Sequence, residues 1–145
     1  MRMTLEADYA IRILYCLGCN HEKVDAKAIA EATGVTIRFT LKILHKLLGA
    51  GLVISFKGAN GGYKLAKSPA EISIGQIIEV IDGPIAINHC LRHEFSCTRT
   101  TKTECNFHKM FRTVNNQLRE ELYQVTLDQF VVQEGKEEPE TAETE

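Results

Sequence analysis

The sequence lacks the features that would mark a membrane-spanning, secreted or catalytic protein. No apolar run approaches the roughly 20 residues that a membrane-spanning helix needs. The first residues lack the basic, apolar and small-residue order of a signal peptide. Paired carboxylates, a nucleophile motif and a phosphate-binding loop are also missing, so we expect no catalytic residues and no small-molecule substrate. The expected protein is cytoplasmic and has no membrane partner.

Charge is distributed unevenly along the 145 residues, whose formal net charge is -2. Residues 1–67 hold ten Lys or Arg and five Asp or Glu, a net charge of +5. Residues 134–145 hold six Glu and one Lys, a net charge of -5, without apolar periodicity. We expect this acidic tail to be disordered, and the basic N-terminal half suits a nucleic-acid partner.

Three helices are predicted in close succession in the N-terminal half. The first covers residues 4–20, and the second covers residues 26–32 after the N-cap Asp25. A short turn with a glycine separates the second helix from the third, which begins after the N-cap Thr36. The second and third helices are therefore predicted to be joined by a short turn.

The third helix is predicted to have one apolar and one basic face. The positions expected to face the core recur at helical spacing and are Ile37, Leu41, Leu44 and Leu48. The basic positions on the other side are Arg38, Lys42, His45 and Lys46. Two helices joined by a short turn, the second with a basic outer face, are typical of a helix-turn-helix, whose second helix enters the DNA major groove.

A β-hairpin is predicted after the third helix. Residues 52–56 are β-branched and aromatic, and the glycine-rich stretch 58–62 turns the chain back into residues 63–65. Tyr63 follows the glycines where a phosphate-binding loop would need Lys and then Ser or Thr, which disfavours nucleotide binding. The hairpin is therefore predicted to be the wing of a winged helix. A fourth helix, opened by Ser73, should follow it.

Cys90, Cys97 and Cys105 lie in a short polar stretch with no fourth cysteine nearby. His108 follows Cys105 by about one helical turn. Thiols stay reduced in the cytoplasm, and thiolates are soft ligands that hold iron–sulfur clusters and zinc. The stretch predicts an iron–sulfur or metal site with one non-cysteine ligand. Redox-active or inert thiols are the alternative.

The two other cysteines, Cys16 and Cys19, have the spacing of a redox or zinc half-site. They lie on the first predicted helix, where small apolar residues pack. A reduced cysteine behaves as a small apolar side chain, so we expect the pair to fill the core.

A long amphipathic helix is predicted from Asn106 to Val125. Its apolar positions step by three or four residues and are Phe107, Phe111, Val114, Leu118, Leu122 and Val125. At 1.5 Å per residue this helix would be about 30 Å long, more than so small a domain can cover with its own surface. We expect a second copy of the chain to cover the stripe, and packing against the chain's own core is the alternative.

Several stretches together carry a family resemblance. They are Met1-Arg2-Met3-Thr4 with Tyr9-Ala10, Gly51-Leu52-Val53, residues 57–66, residues 74–83, and the three cysteines that follow. On these stretches the chain resembles, over about residues 1–130, the Rrf-type family of winged-helix regulators with its IscR-like and NsrR-like members. The resemblance implies a homodimer, a palindromic double-stranded DNA operator, and an iron–sulfur cluster, [2Fe-2S] or [4Fe-4S].

The resemblance also implies which residues hold the cluster. The three cysteines would be joined by a fourth ligand that varies within the family. His108 lies where IscR-like members carry a histidine ligand, and Asp8 lies where NsrR-like members supply a carboxylate from the other subunit. This sequence carries both residues, so both stay open.

For DNA, the family pattern implies contacts from two elements. Arg38, Thr40 and Lys42 would meet the major groove from the third helix, and Lys57 and Asn60 would reach the minor groove from the wing. Arg and Lys can read guanine edges or hold phosphates, and the sequence leaves these roles open.

The sequence thus predicts a mainly α protein with a small β-hairpin wing. Its expected parts are a winged helix-turn-helix over 1–83, a cysteine loop over 84–105, a dimerisation helix and C-terminal segment over 106–133, and the acidic tail. The expected function is a DNA-binding transcriptional regulator, with repression favoured, whose cluster senses nitric oxide, redox or iron–sulfur status. A cluster-free regulator controlled by thiol oxidation or a protein partner is one alternative. An iron–sulfur or zinc enzyme is the more distant one.

Overall fold

The computed structural model describes residues 2–98 and 105–131. Its helices are α1 Leu5–Gly18, α2 Ala26–Thr33, α3 Ile37–Gly49, α4 Ile74–Asp82 and α5 Asn106–Gln124. Its two strands are β1 Val53–Phe56 and β2 Gly62–Leu65. Single 3₁₀ turns lie at Pro69–Glu71, His89–Leu91 and Leu127–Gln129. The mainly α fold with a small hairpin agrees with the prediction. The acidic tail, residues 134–145, lies outside the described residues.

Side-chain caps fix where the helices of the N-terminal half begin. Asp25, Thr36 and Ser73 each accept a hydrogen bond from the backbone N–H three residues on, at 2.8, 3.3 and 3.0 Å. Each bond satisfies one of the amide groups that a helix start leaves without an intrahelical partner. The α2 helix ends at Gly34, whose φ of 71° suits glycine. The predicted caps are confirmed.

The core of the winged helix lies between α1, α3, α4 and the C-terminal turn. The buried face of α3 differs from the prediction, because Ile37 and Leu41 are each 46% exposed. The residues that α3 buries are Thr40, Ile43, Leu44 and Leu47. Since α3 is rich in apolar residues, two stripes have helical spacing, and packing against α1, α2 and β1 selects the second.

The predicted wing is confirmed as an antiparallel hairpin that pairs Val53 with Leu65 and Phe56 with Gly62. Its second strand also bonds to the segment before α2, because Val24 and Tyr63 exchange two backbone hydrogen bonds at 2.8 and 3.0 Å. A side chain at Gly62 would meet the Val24 carbonyl oxygen at 2.8 Å, so this close approach needs glycine. The wing is thereby attached to the start of the helix-turn-helix.

Helix α5 has the predicted extent and packs against α4. After α5 the chain returns to the winged helix, where Leu127 is 1% exposed and donates a backbone hydrogen bond to the Ile72 carbonyl at 2.9 Å. The first half of α5 is less well covered, because Phe107, Met110 and Val114 are 62%, 46% and 45% exposed. Among residues 2–98 and 105–131, no helix has both the length and the apolar character to cross a bilayer.

Candidate metal centre and DNA-binding surface

The three loop cysteines border one cavity beside the start of α5. Cys90 lies in the 3₁₀ turn His89–Leu91, Cys97 lies further along the loop, and Cys105 is the residue before α5. The cavity has a volume of about 500 Å³. It is lined by these cysteines and by Asn88, Phe95, Thr98, Phe107, His108 and Phe111. The structure thus brings four of the five predicted ligands to one place.

Cys105 and His108 are held together at the N-terminus of α5. The Cys105 Sγ accepts a hydrogen bond from the His108 backbone N–H at 3.5 Å, so the thiol caps the helix. The His108 Nδ1 is buried and finds no hydrogen-bond partner among the described residues. A buried ring nitrogen without a hydrogen-bond partner is costly unless it coordinates a metal or cluster. The His108 Nδ1 is therefore a candidate ligand atom.

The chemistry of these donors fits an iron–sulfur cluster. Thiolate sulfur suits iron–sulfur clusters, and imidazole nitrogen is a ligand that replaces cysteine on some of them. No three His, Cys, Asp or Glu side chains in the described part of the chain lie close enough to hold a single metal ion. The ligands of a cluster bind different iron atoms and can lie further apart. Residues 99–104, between Cys97 and Cys105, lie outside the described residues.

Asp8 lies apart from the cysteine cavity within one chain. Its carboxylate forms an ion pair with Arg12, one turn on in α1, at 2.8 Å, and its side chain is 38% exposed. The hollow that it lines is otherwise formed by residues at the start of the chain, Arg2, Met3, Thr4 and Leu5. A role for Asp8 as a ligand would therefore require a second chain and stays a prediction.

Asn115 is a residue of this region that the sequence patterns did not reveal. Its side chain is 7% exposed, accepts a hydrogen bond from the Ile87 N–H at 2.9 Å, and donates one to the Ile85 carbonyl at 2.9 Å. Asn115 thereby joins α5 to the segment that leads into Cys90. In the sequence, Asn115 stands out only as a polar residue that directly follows Val114 of the apolar stripe.

Glu79 of α4 forms a second set of polar contacts between elements. Asn115 and Glu79, each with its hydrogen-bond partners, are the two polar joints of this region. Its carboxylate accepts hydrogen bonds from the Arg119 Nε at 2.7 Å, the Tyr123 hydroxyl at 2.8 Å and the Ile85 N–H at 3.4 Å. The hydrogen bond from Arg119 is the main reason that the pKa of Glu79 lies below its ordinary value. Burial and the bond to Glu79 raise the pKa of Tyr123. This cluster connects α4, α5 and the start of the cysteine loop.

The predicted DNA-contacting residues divide into exposed and buried positions. Arg38 and Lys42 are exposed on α3, and Lys57 and Asn60 are exposed on the hairpin turn. Thr40 is fully buried, and its hydroxyl finds no hydrogen-bond partner among the described residues. The prediction that Thr40 contacts DNA is therefore wrong for this conformation, because the side chain points into the core.

The basic face of α3 carries an internal acidic partner. Glu6 of α1 lies 2.7 Å from the Lys46 ammonium and 3.6 Å from that of Lys42. Exposed apolar side chains, Ile37, Phe39 and Leu41, lie between the basic ones. The surface therefore combines cations, which suit phosphates and base edges, with apolar groups that could contact thymine methyls.

Comparison with known proteins places the chain among transcriptional regulators. A family described as "Rrf2: Iron-dependent Transcriptional regulator" matches residues 3–133. The regulator IscR of Pectobacterium atrosepticum is 28% identical over 133 residues, which are 90% of this chain and 79% of that protein. The regulator NsrR of Geobacillus kaustophilus is 33% identical over 110 residues, 74% of this chain and 75% of that protein.

A solved structure agrees in fold. CymR, described as the global cysteine regulator of B. subtilis, superposes with a TM-score of 0.72 at 25% identity, covering 88% of this chain and 94% of that one. The IscR and NsrR relatives are HTH-type transcriptional regulators, not enzymes. Because the family match spans most of the sequence, the chain belongs to the Rrf2 family of transcriptional regulators.

Proposed function

We propose that the affinity of this regulator for its operator is controlled by an iron–sulfur cluster held by Cys90, Cys97 and Cys105. The observation that carries the proposal is the cavity of about 500 Å³ at which the three thiols and His108 meet. The unpartnered Nδ1 of His108 favours this residue as the fourth ligand, and Asp8 of a second chain is the competing choice. Such a cluster supplies iron that reacts with nitric oxide or oxidants.

DNA contact is proposed for Arg38 and Lys42 of α3 and for Lys57 and Asn60 of the wing. All four are exposed, and they lie on the two elements that a winged helix presents to the major and minor grooves. Glu6 partly neutralises Lys42 in the chain alone. Phosphates would compete with Glu6 for that ammonium, so part of the binding energy depends on exchanging one anion for another.

We infer that the chain acts as a homodimer on a palindromic operator. The apolar side chains of Phe107, Met110 and Val114 form an exposed stripe on α5 that a second α5 could cover. Such pairing raises the affinity of a regulator that has one DNA-contacting helix per chain. It also fixes the spacing between the two half-sites that the regulator binds. The option in which Asp8 of a second chain is the fourth ligand also requires a dimer.

The route from cluster to DNA is proposed to run through the two polar joints. Asn115 holds Ile85 and Ile87, which lead directly into Cys90. Glu79 holds Ile85 as well, and α4 packs against α1 and α3. A change in the order of the cysteine loop would therefore act on α4 and α5 at once and alter the distance between paired α3 helices.

The test is to purify the protein without oxygen and measure iron and acid-labile sulfide per chain together with the visible spectrum. We expect both elements and charge-transfer absorption. Cys97→Ala should lose the iron, and its operator affinity should no longer respond to nitric oxide or oxygen. The matched control is Cys19→Ala, which changes a thiol outside the loop. Unchanged iron content and an unchanged response in Cys97→Ala would overturn the proposal.

A cluster-free regulator is the second candidate, and one observation favours it. The fold is similar to that of CymR, which is described as a cysteine regulator. In this case the loop thiols would respond to oxidation, or a protein partner would act on the loop. The purified protein would then bind its operator without iron or sulfide, and the iron measurement separates the two candidates.

A further inference from the structure

A second cavity, of about 670 Å³, is lined by residues near the end of α1, among them the remaining two cysteines, Cys16 and Cys19. Its walls come from α1, the end of α2, the first residue of α4 and the turn after α5. The polar residues that line it include Arg12, Cys16, Cys19, Asn20 and Thr33. The rest of the lining is mainly apolar.

The two thiols are not core filler, contrary to the expectation from the sequence. Both are only half-buried, and both line this cavity. They are three residues apart at the end of α1, so they lie on one face of the helix. Burial, and to a smaller degree the neighbouring Cys19, raise the pKa of Cys16. A protonated thiol reacts slowly with peroxides, which disfavours a peroxide-sensing pair.

A raised thiol pKa is less of an obstacle to a strongly thiophilic ion, because the ion displaces the protons as it binds. Zinc requires about four ligands, and no third His, Cys, Asp or Glu joins these two thiols within the described residues. A soft closed-shell cation such as Cu(I) is selected by thiolate sulfur and can be held by two such ligands. The donor set therefore favours copper over zinc.

We propose that Cys16 and Cys19 bind one Cu(I) ion as a two-sulfur site, separate from the loop cysteines. Two S–H bonds break, two Cu–S bonds form, and two protons leave to solvent, with no change in oxidation state. The resulting site carries one negative charge. The Arg12 guanidinium, on the same cavity wall, would offset that charge while it also pairs with Asp8.

The experiment is an anaerobic titration of the full chain with Cu(I) in competition with a chromophoric Cu(I) chelator. Wild type is compared with Cys16→Ser/Cys19→Ser and with Cys90→Ser/Cys97→Ser. We expect the first double variant to lose a tightly held copper that the second retains. Copper binding by Cys16→Ser/Cys19→Ser that matches wild type, or loss of all tight copper in the loop variant, would overturn the proposal.

Single variants test the site even if the double variant misfolds. Cys19→Ser changes the residue that caps the end of α1 and should weaken copper binding by more than about 100-fold, because even the loss of a second-shell partner costs about 10–100-fold. Thr33→Ser alters the same cavity without removing a sulfur and should bind copper as wild type does. Far-ultraviolet circular dichroism reports the fold of each variant, and equal copper affinity in folded Cys19→Ser and Thr33→Ser would contradict the proposal.

Discussion

The winged helix and the C-terminal helix of this chain complete their packing in different ways. In the winged helix, α1 and α3 bury side chains such as Ile13, Leu14 and Ile43 without any exposed surface. In α5 the only buried residue is Asn115, and Phe107 keeps 62% of its surface exposed. The winged helix thus buries a complete apolar core within the chain, whereas α5 leaves much of its apolar stripe exposed and carries two candidate ligands, Cys105 and His108, at its N-terminus.

The contrast extends to how α5 is attached. The winged helix is held by apolar contacts, which are non-directional and tolerate small shifts. The middle and second half of α5 are held by directional hydrogen bonds of Asn115 and Arg119 to the cysteine loop and α4. Directional joints have a narrow range of favourable geometries, so a change in the loop is passed on to the helices that it contacts.

The largest effect is expected from placing a charge on the exposed stripe of α5. Val114→Asp puts a carboxylate where a second chain is proposed to pack, so the dimer should dissociate. Operator affinity should fall by about 100-fold or more, the range lost when linked binding modules act singly. Sedimentation and DNA titration measure the two effects. Asn116→Asp, off the stripe and exposed, is the control. A dimeric Val114→Asp variant would contradict the proposed interface.

A smaller effect is expected at the polar joint. Asn115→Ala leaves the Ile87 N–H and the Ile85 carbonyl without their partners, which should lower the free energy of unfolding by about 2–3 kcal/mol. The neighbouring Asn116→Ala removes an exposed amide and should change it by less than about 0.5 kcal/mol. Urea denaturation followed by circular dichroism measures both. Equal stabilities would mean that the buried amide does not join the loop to α5.

Acid should weaken the joint at Glu79. Because Arg119 lowers the pKa of Glu79 from its ordinary 4.5, the carboxylate stabilises the folded chain above that pH, and the stabilisation is lost as the pH falls through the lowered value. Glu79→Gln should lower the free energy of unfolding by about 1 kcal/mol at pH 7. This is less than the usual loss of a charged hydrogen bond, because Arg119 is half exposed. The substitution should also remove this part of the acid dependence, whereas the exposed Glu120→Gln should not. A Glu79→Gln variant with an unchanged denaturation profile against pH would refute this.

Much of the fold could be predicted from the sequence because its signals are local. Caps such as Asp25 and Thr36, the glycine-rich hairpin and the extent of α5 depend on residues within a few positions of one another. The buried face of α3 could not, since which stripe faces the core depends on how α1 and α2 approach it. The gathering of cysteines was predicted, but the bond from Asn115 to Ile85 joins residues 30 positions apart and has no sequence pattern.

The smallest effect is expected at Thr40, where the prediction and the structure disagree. Its hydroxyl is buried without a hydrogen-bond partner among the described residues, so Thr40→Val should keep the shape and stabilise the fold by up to about 1 kcal/mol. Operator affinity should not change, because the side chain faces the core. Arg38→Ala, two residues earlier on the exposed face, should weaken DNA binding and reduce its salt slope by about 1 if Arg38 holds a phosphate. A loss of affinity in Thr40→Val as large as that in Arg38→Ala would mean that α3 rotates on DNA and exposes a side chain that the free chain keeps buried.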